Sequence, residues 1–168
     1  MTTDTARTTT AGRALERRIS LLRDALLPAH ALRIADIGAN PINVPSYAGL
    51  HAMGACEVWG FEPDEASFDA LQAGALPGSH FVKRAVGRTG TGTFYPHKHS
   101  GLGSLFKIDE QRVGYLGRPG WHAGQGDGIE MELVALDSLP AAELPKPDLL
   151  KMDIQGGELN VFQTGRET

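Results

Sequence analysis

The chain has 168 residues, room for one domain around one core, with 41 % apolar residues, 21 % charged residues and a net charge of −4. That is the composition of an ordinary globular protein; it offers no basic stripe for nucleic acid and no apolar run long enough to span a bilayer. Its one cysteine, Cys56, excludes an intrachain disulfide, and the threonine-rich start lacks the apolar segment of a secretory leader, so the expectation is a cytoplasmic protein.

Residues 1–12 read as a disordered tail and residues 13–168 as one domain. Leu15, Ile19, Leu22 and Leu26 recur at helical spacing, with Arg17, Arg18 and Arg23 elsewhere on the cylinder. This is an amphipathic helix that covers a sheet and ends before Pro28. Leu32 to Ile37 is a short strand. Pro45 opens a helix that uses Tyr47, Leu50 and Met53 and stops at Gly54. Cys56 to Phe61 is the second strand. Pro63 or Asp64 begins the next helix, which carries Phe68 and Leu71 and ends at Gly74. His80 to Val86 is the third strand. Strands alternating with helices through short glycine-bearing turns predict βαβ units, hence an α/β fold with a parallel sheet. From Gly87 the pattern changes. Thr93 to Tyr95 is strand-like, and Pro96 to Gly128 is a glycine-rich loop. A loop of that length in a compact domain is functional or partly disordered. Glu130 to Ala135 and Asp148 to Ile154 are further strands, and Gly156-Gly157 leads into a helix starting at Glu158.

Two acids stand out. Asp36 opens the turn Asp36-Ile37-Gly38-Ala39-Asn40 after the first strand, and Glu62 follows the second, in Phe61-Glu62-Pro63. Open parallel sheets bind ligands beyond the carboxyl ends of their strands. There, a glycine turn lets a ligand approach the backbone, a following helix offers free N–H groups, and a second-strand acid accepts hydrogen bonds from ribose hydroxyls. A plain strand-to-helix turn explains Gly38 alone equally well, and a capping or solvated glutamate is the bland alternative for Glu62. Asp153, in Lys151-Met152-Asp153-Ile154-Gln155-Gly156-Gly157-Glu158, puts a third acid at a strand end facing the same crevice. Two acids can hold cofactor groups while the third contacts substrate or serves as base. Glu158 reads as a favourable charge in a helix's first turn. A nicotinamide oxidoreductase is disfavoured, because the G-x-G-x-x-G fingerprint is absent.

His97 and His99 form a His-x-His pair, with His122 further on. No acid or cysteine lies near them in sequence to complete a metal set, so they read as exposed loop histidines and no metal is expected. His99 is a second candidate for the general base beside Asp153. Trp121 and Tyr115 either line a pocket or merely pack.

Taken together, the segments 36–40, Phe61-Glu62-Pro63-Asp64 with Phe68 and Leu71, Lys83-Arg84-Ala85-Val86-Gly87, Leu136-Asp137-Ser138-Leu139 and 151–158 stand in the order seen in FkbM-type methyltransferases. The chain resembles that family over about residues 30 to 165. The resemblance implies a Rossmann-like class I methyltransferase fold, an open, mostly parallel sheet with helices on both faces. It also implies S-adenosylmethionine as cofactor and a hydroxyl of a small metabolite or sugar as methyl acceptor. On it, Asp36, Gly38 and Asn40 match the cofactor turn, Glu62 the ribose acid, and Ala85 and Val86 the segment near adenine. Asp153 matches the acid near the methionine part and the acceptor, and Gly101-Leu102-Gly103-Ser104-Leu105 the serine-containing loop ahead of the active site. Where the family has a further glycine after the turn, this chain has Pro41-Ile42-Asn43, which predicts that Ile42 crowds the methionine end. Family members continue beyond the point where this sequence stops. The expectation is therefore a C-terminally truncated fold with an exposed sheet edge beside the 148–153 strand. Such an edge suits a homodimer, and the alternative to catalysis is a non-catalytic half-domain that acts by association.

Overall fold

The computed structural model describes residues 10–26 and 30–168. The expected tail lies almost wholly outside these residues, as does Pro28. Helix α1 spans Thr10–Leu26. Of its predicted stripe, Ile19 is buried at 7 % exposure and sits against Gly49, whereas Leu15 is 56 % exposed.

Strand β1 (Leu32–Ile37) is the centre of the structure. Ile34, Ala35, Asp36 and Ile37 are all buried, as befits a parallel strand covered on both faces. Helix α2 (Ala48–Ala52) starts later than the Pro45 expectation and is stopped by Gly54 at φ +65°. Strand β2 is Cys56–Phe61. Helix α3 (Glu65–Ala73) is capped by Asp64, whose carboxylate accepts from the Ser67 N–H at 2.9 Å. The predicted third strand is split. Strand β3 (Ser79–Val82) ends at a tight turn in which Arg84 N–H donates to Val82 O at 3.0 Å, and β4 (Ala85–Val86) leaves for a different sheet.

Strands β5 (Gly90–Phe94) and β6 (Ile129–Val134) follow, then β7 (Leu149–Met152) and helix α5 (Glu158–Gln163). The segment between β5 and β6 is not wholly loop: Asp109 caps a short helix, α4 (Glu110–Tyr115), by accepting from the Arg112 N–H at 3.0 Å.

The main sheet has the order β3-β2-β1-β7, all parallel, with Ile34 opposite Val58 on one side and Ile37 opposite Met152 on the other. The second sheet, β4-β6-β5, is mixed: β4 runs parallel to β6 and β5 antiparallel. Alternation of side chains along β1 and β2 sends Ala35, Ile37, Trp59 and Phe61 into one core with Val161 of α5. Ile34, Cys56 and Val58 enter the other core with Tyr47 and Leu50 beside α2. Helices thus lie on both faces of an α/β sheet, as a Rossmann-like fold requires. The chain order reverses between β1 and β7, and the carboxyl ends of these two strands open the crevice where such sheets bind ligands.

Candidate functional site

That crevice is a cleft of about 790 Å³ bordered by the 36–40 turn, Glu62, Ala85, Val86, Lys151 and Asp153. Its size is that of a small-molecule site. The seven residues assigned to a cofactor by sequence therefore meet in one place.

Asp36 is the penultimate residue of β1 and is 2 % exposed. A buried carboxylate needs partners, and two supply them. The Tyr47 hydroxyl donates to Oδ2 at 2.5 Å, and Lys151 Nζ stands 2.8 Å from Oδ1 as a charge contact, off the hydrogen-bond direction. Register explains the pair, since Asp36 is directly opposite Lys151 across β1 and β7. Burial and the adjoining Asp36 charge hold the Tyr47 hydroxyl well above the ordinary phenol range, so it remains a donor. Cys56, also buried, has its thiol pushed up to about 11 by desolvation, which makes it inert.

Gly38 has φ +81°, and a side chain there would meet the Asp153 carbonyl and, at 2.7 Å, Ile154 Cγ2. Its glycine is demanded by the crossing of two loops, the turn after β1 and the one after β7. The N–H groups of Gly38 and Ala39 both donate to Phe61 O, at 2.9 and 3.1 Å. The expectation of a helix start with free amides at this turn is not met. Asn40 and Val44 each precede a proline, which disfavours helical backbone, and α2 begins only at Ala48. Instead Asn40 Oδ1 accepts from the Ile42 N–H at 2.9 Å. Ile42 borders the cleft but turns largely to solvent at 55 % exposure.

Glu62 is 6 % exposed and borders the cleft. Its Oε1 accepts from the Asp64 N–H at 2.8 Å. Burial pushes its carboxyl up to about 7, against the hydrogen bond from Asp64; the charges of Asp64 and Asp36 add to the rise and Lys151 opposes it. The capping role considered for Glu62 falls to Asp64. Ala85 and Val86, at 5 % and 4 % exposure, give the cleft an apolar wall.

Asp153 is exposed at the cleft. Its N–H continues the strand by donating to Ile37 O at 3.0 Å, and its Oδ1 accepts from Gln155 Nε2 at 2.9 Å. The loop behind it is sharply bent, with Gln155 at φ +59° and Gly156 at φ +113°. Two side chains hold it. The Glu158 carboxylate accepts from the Ile154 and Gly156 N–H groups at 3.0 and 2.9 Å. Partial burial works against that charge, yet these backbone donors keep its carboxyl below the usual range. The Ser104 hydroxyl donates to Gln155 O at 2.9 Å and accepts from the Phe106 N–H at 3.0 Å. Ser104 is thus a strut between the serine loop and the β7 loop.

His99 is exposed and does not border the cleft. The chain after His97 bends into a 3-10 turn at Ser100–Leu102 instead of extending, so the structure leaves His99 outside the group formed by Asp36, Glu62 and Asp153. His97 is 9 % exposed, its Nε2 lies 2.7 Å from Trp121 O, and its Nδ1 accepts from the His99 N–H at 3.0 Å. A proton on Nε2 satisfies both contacts, and the ring braces the loop. Among the described residues no three His, Cys, Asp or Glu side chains are grouped to hold a metal ion.

Sequence reasoning placed Glu158 in the first turn of α5, as found, but missed its bonds to the loop and the roles of Tyr47, Lys151 and Ser104. Lys151 was the most accessible of these, being two residues before Asp153 in the same motif.

A parallel sheet flanked by helices on both faces, with its cleft at the strand-order switch, defines a Rossmann-like α/β protein. The chain belongs to the Methyltransferase FkbM domain family, which matches residues 36–168, starting at the acid that opens the cleft turn. No curated protein and no solved structure matches the chain. Among the described residues no helix is long and apolar enough to cross a membrane.

Proposed function

We propose that the cleft binds S-adenosylmethionine and that the domain methylates a hydroxyl of a small metabolite or sugar. The observation that carries this reading is the convergence of Asp36, Glu62 and Asp153 from three strand ends on one cleft of about 790 Å³. The residues present suit the cofactor. Glu62 keeps one oxygen beyond its bond to Asp64 N–H, available for ribose hydroxyls. Ala85 and Val86 form an apolar wall for a purine ring. The cofactor supplies an already activated methyl group on sulfur, so the protein's task is to align the acceptor oxygen with it and to remove a proton. Asp153 is the exposed carboxylate at the cleft and keeps an oxygen beyond its bond from Gln155, so it would take the proton of the acceptor hydroxyl during the transfer. Calorimetric titration with S-adenosylhomocysteine tests the reading: saturable binding is expected, and a flat titration contradicts it.

A second reading is association through β7. This strand pairs only with β1 among the described residues, and Leu149, Leu159 and Phe162 nearby in the chain are 46 %, 65 % and 64 % exposed. Exposed strand edges invite pairing with another chain. Light scattering separates the readings: a concentration-dependent dimer supports association, and a monomer at all concentrations rejects it.

A further inference from the structure

Gln155 borders the cleft in a backbone conformation that its side chain makes costly. Its φ is +59°, and among the described residues it is the one non-glycine residue with a positive φ. The left-handed region is disfavoured for a residue with a Cβ, and such outliers gather at active sites and ligand clamps. A glycine would take this backbone freely, as Gly156 does beside it at φ +113°. The strained position carries an amide instead, and its Nε2 donates to Asp153 Oδ1 at 2.9 Å. Among the described residues no other side chain bonds the Asp153 carboxylate, and an exposed carboxylate without that bond is free to swing between staggered rotamers.

The strain at Gln155 is held from outside its loop. The Ser104 hydroxyl reaches across 51 positions of chain to donate to Gln155 O at 2.9 Å, and it accepts from the Phe106 N–H at 3.0 Å. Ser104 is itself fixed. It is 5 % exposed, and its backbone exchanges two bonds with Tyr95, at 2.7 and 3.1 Å. Glu158 meanwhile accepts from the Ile154 and Gly156 N–H groups on either side of Gln155. The Gln155 backbone is therefore clamped at its own carbonyl and at both neighbours, which leaves its amide aimed at Asp153.

We propose that Gln155 and Ser104 are positioning residues for Asp153: the Gln155 amide holds Oδ1 so that Oδ2 is presented to the acceptor hydroxyl, and the Ser104 hydroxyl holds the Gln155 backbone in the conformation that aims this amide. The assignment rests on the proposed reading of Asp153 as the group that takes the proton, and it adds what orients that group. Orientation matters because a small misplacement of a base from the line of the reacting hydroxyl lowers the rate steeply. It also gives the serine loop a part in the chemistry, exercised through the β7 loop.

The test reads the Asp153 side chain directly, through the three-bond NMR couplings from its Cγ to the backbone nitrogen and carbonyl carbon in the isotope-labelled full chain. Wild-type protein should show the couplings of a single χ1 rotamer. Gln155→Gly removes the amide and relieves the backbone, so the thermal midpoint should hold or rise while the Asp153 couplings average over the staggered rotamers. A side chain with a merely structural role would leave those couplings where they are. Ser104→Ala should average them too, with Gln155 still present. Unchanged couplings in Gln155→Gly, or an Asp153 already averaged in wild type, overturn the proposal. Unchanged couplings in Ser104→Ala alone overturn the part assigned to Ser104. The couplings are read without ligand, so these outcomes are separate from the calorimetric titration. A flat titration with S-adenosylhomocysteine sinks the S-adenosyl reading, and the acceptor role of Asp153 with it, whatever the couplings show.

Discussion

On the sheet side of the cleft, Asp36 and Glu62 are 2 % and 6 % exposed; Asp36 is pinned by Tyr47 and by Lys151 of β7, and Glu62 by the backbone N–H of Asp64. On the glycine-rich side, between β5 and β6, His99 is exposed, and the polar contacts of His97 and Ser104 go to backbone groups of nearby loops. The sheet side therefore carries preorganised charge, whereas the loop side braces and shapes. Charge and place decide the difference, since His97 and Ser104 are buried as well: Asp36 and Glu62 bring carboxylates to the strand ends, and the loop side brings neutral braces to backbone groups. A polar group inside the sheet must be satisfied by design, and the resulting network has one geometry. A polar group at the surface has water as an alternative and is free to vary.

The comparison breaks most sharply at Gly38. Replacing it with alanine forces a side chain into the Asp153 carbonyl at a backbone conformation of φ +81°. The expected cost is on the order of 3 kcal/mol or more in urea unfolding, since the opposing group is backbone and cannot swing aside. A loss below about 0.5 kcal/mol would mean the two loops separate easily.

Glu62 gives the next effect, through pH. Its carboxyl ionises near 4.5 in the unfolded chain and at about 7 in the native state. Between those values the native state holds a proton that the unfolded state has lost, so stability falls as pH rises through the window and levels off above it. Glu62→Gln keeps the acceptor for the Asp64 N–H and removes the titration. Relative to wild type, the variant should gain on the order of 3 kcal/mol from the low end of the window to the high end, at about 1.4 kcal/mol per pKa unit. Parallel stability curves for the two proteins across this range would contradict the burial argument.

The smallest effect belongs to the loop side. His99→Ala should change stability by less than about 0.5 kcal/mol and leave S-adenosylhomocysteine affinity unchanged. A tenfold loss of affinity would bring His99 back to the cleft.

The sheet side was also the more legible in sequence. Asp36, Glu62 and Asp153 each terminate an apolar run, and the end of a parallel strand is where a ligand site forms, so position alone marked them. The caps and stops at Asp64, Gly54 and Gly74 were readable for the same local reason. What escaped depends on register and on long-range contact. Lys151 faces Asp36 only because β7 lies next to β1 with that pairing, and Tyr47 reaches Asp36 only because two prolines delay α2. The run from His80 to Val86 was read as one strand although Lys83-Arg84 interrupts its apolar pattern, and the break is a backbone turn at Arg84 where the chain changes sheet. Helix α4 is six residues long with one cap and no apolar period, too short for a periodic signal.

The central claim, that the three-strand cleft is an S-adenosyl site, is tested most directly by a crystal structure of this chain grown with S-adenosylhomocysteine. The account predicts the ligand in the cleft, with its ribose hydroxyls on Glu62 and its purine along Ala85 and Val86. Well-ordered crystals with the ligand absent from the cleft, or seated elsewhere on the molecule, would contradict it.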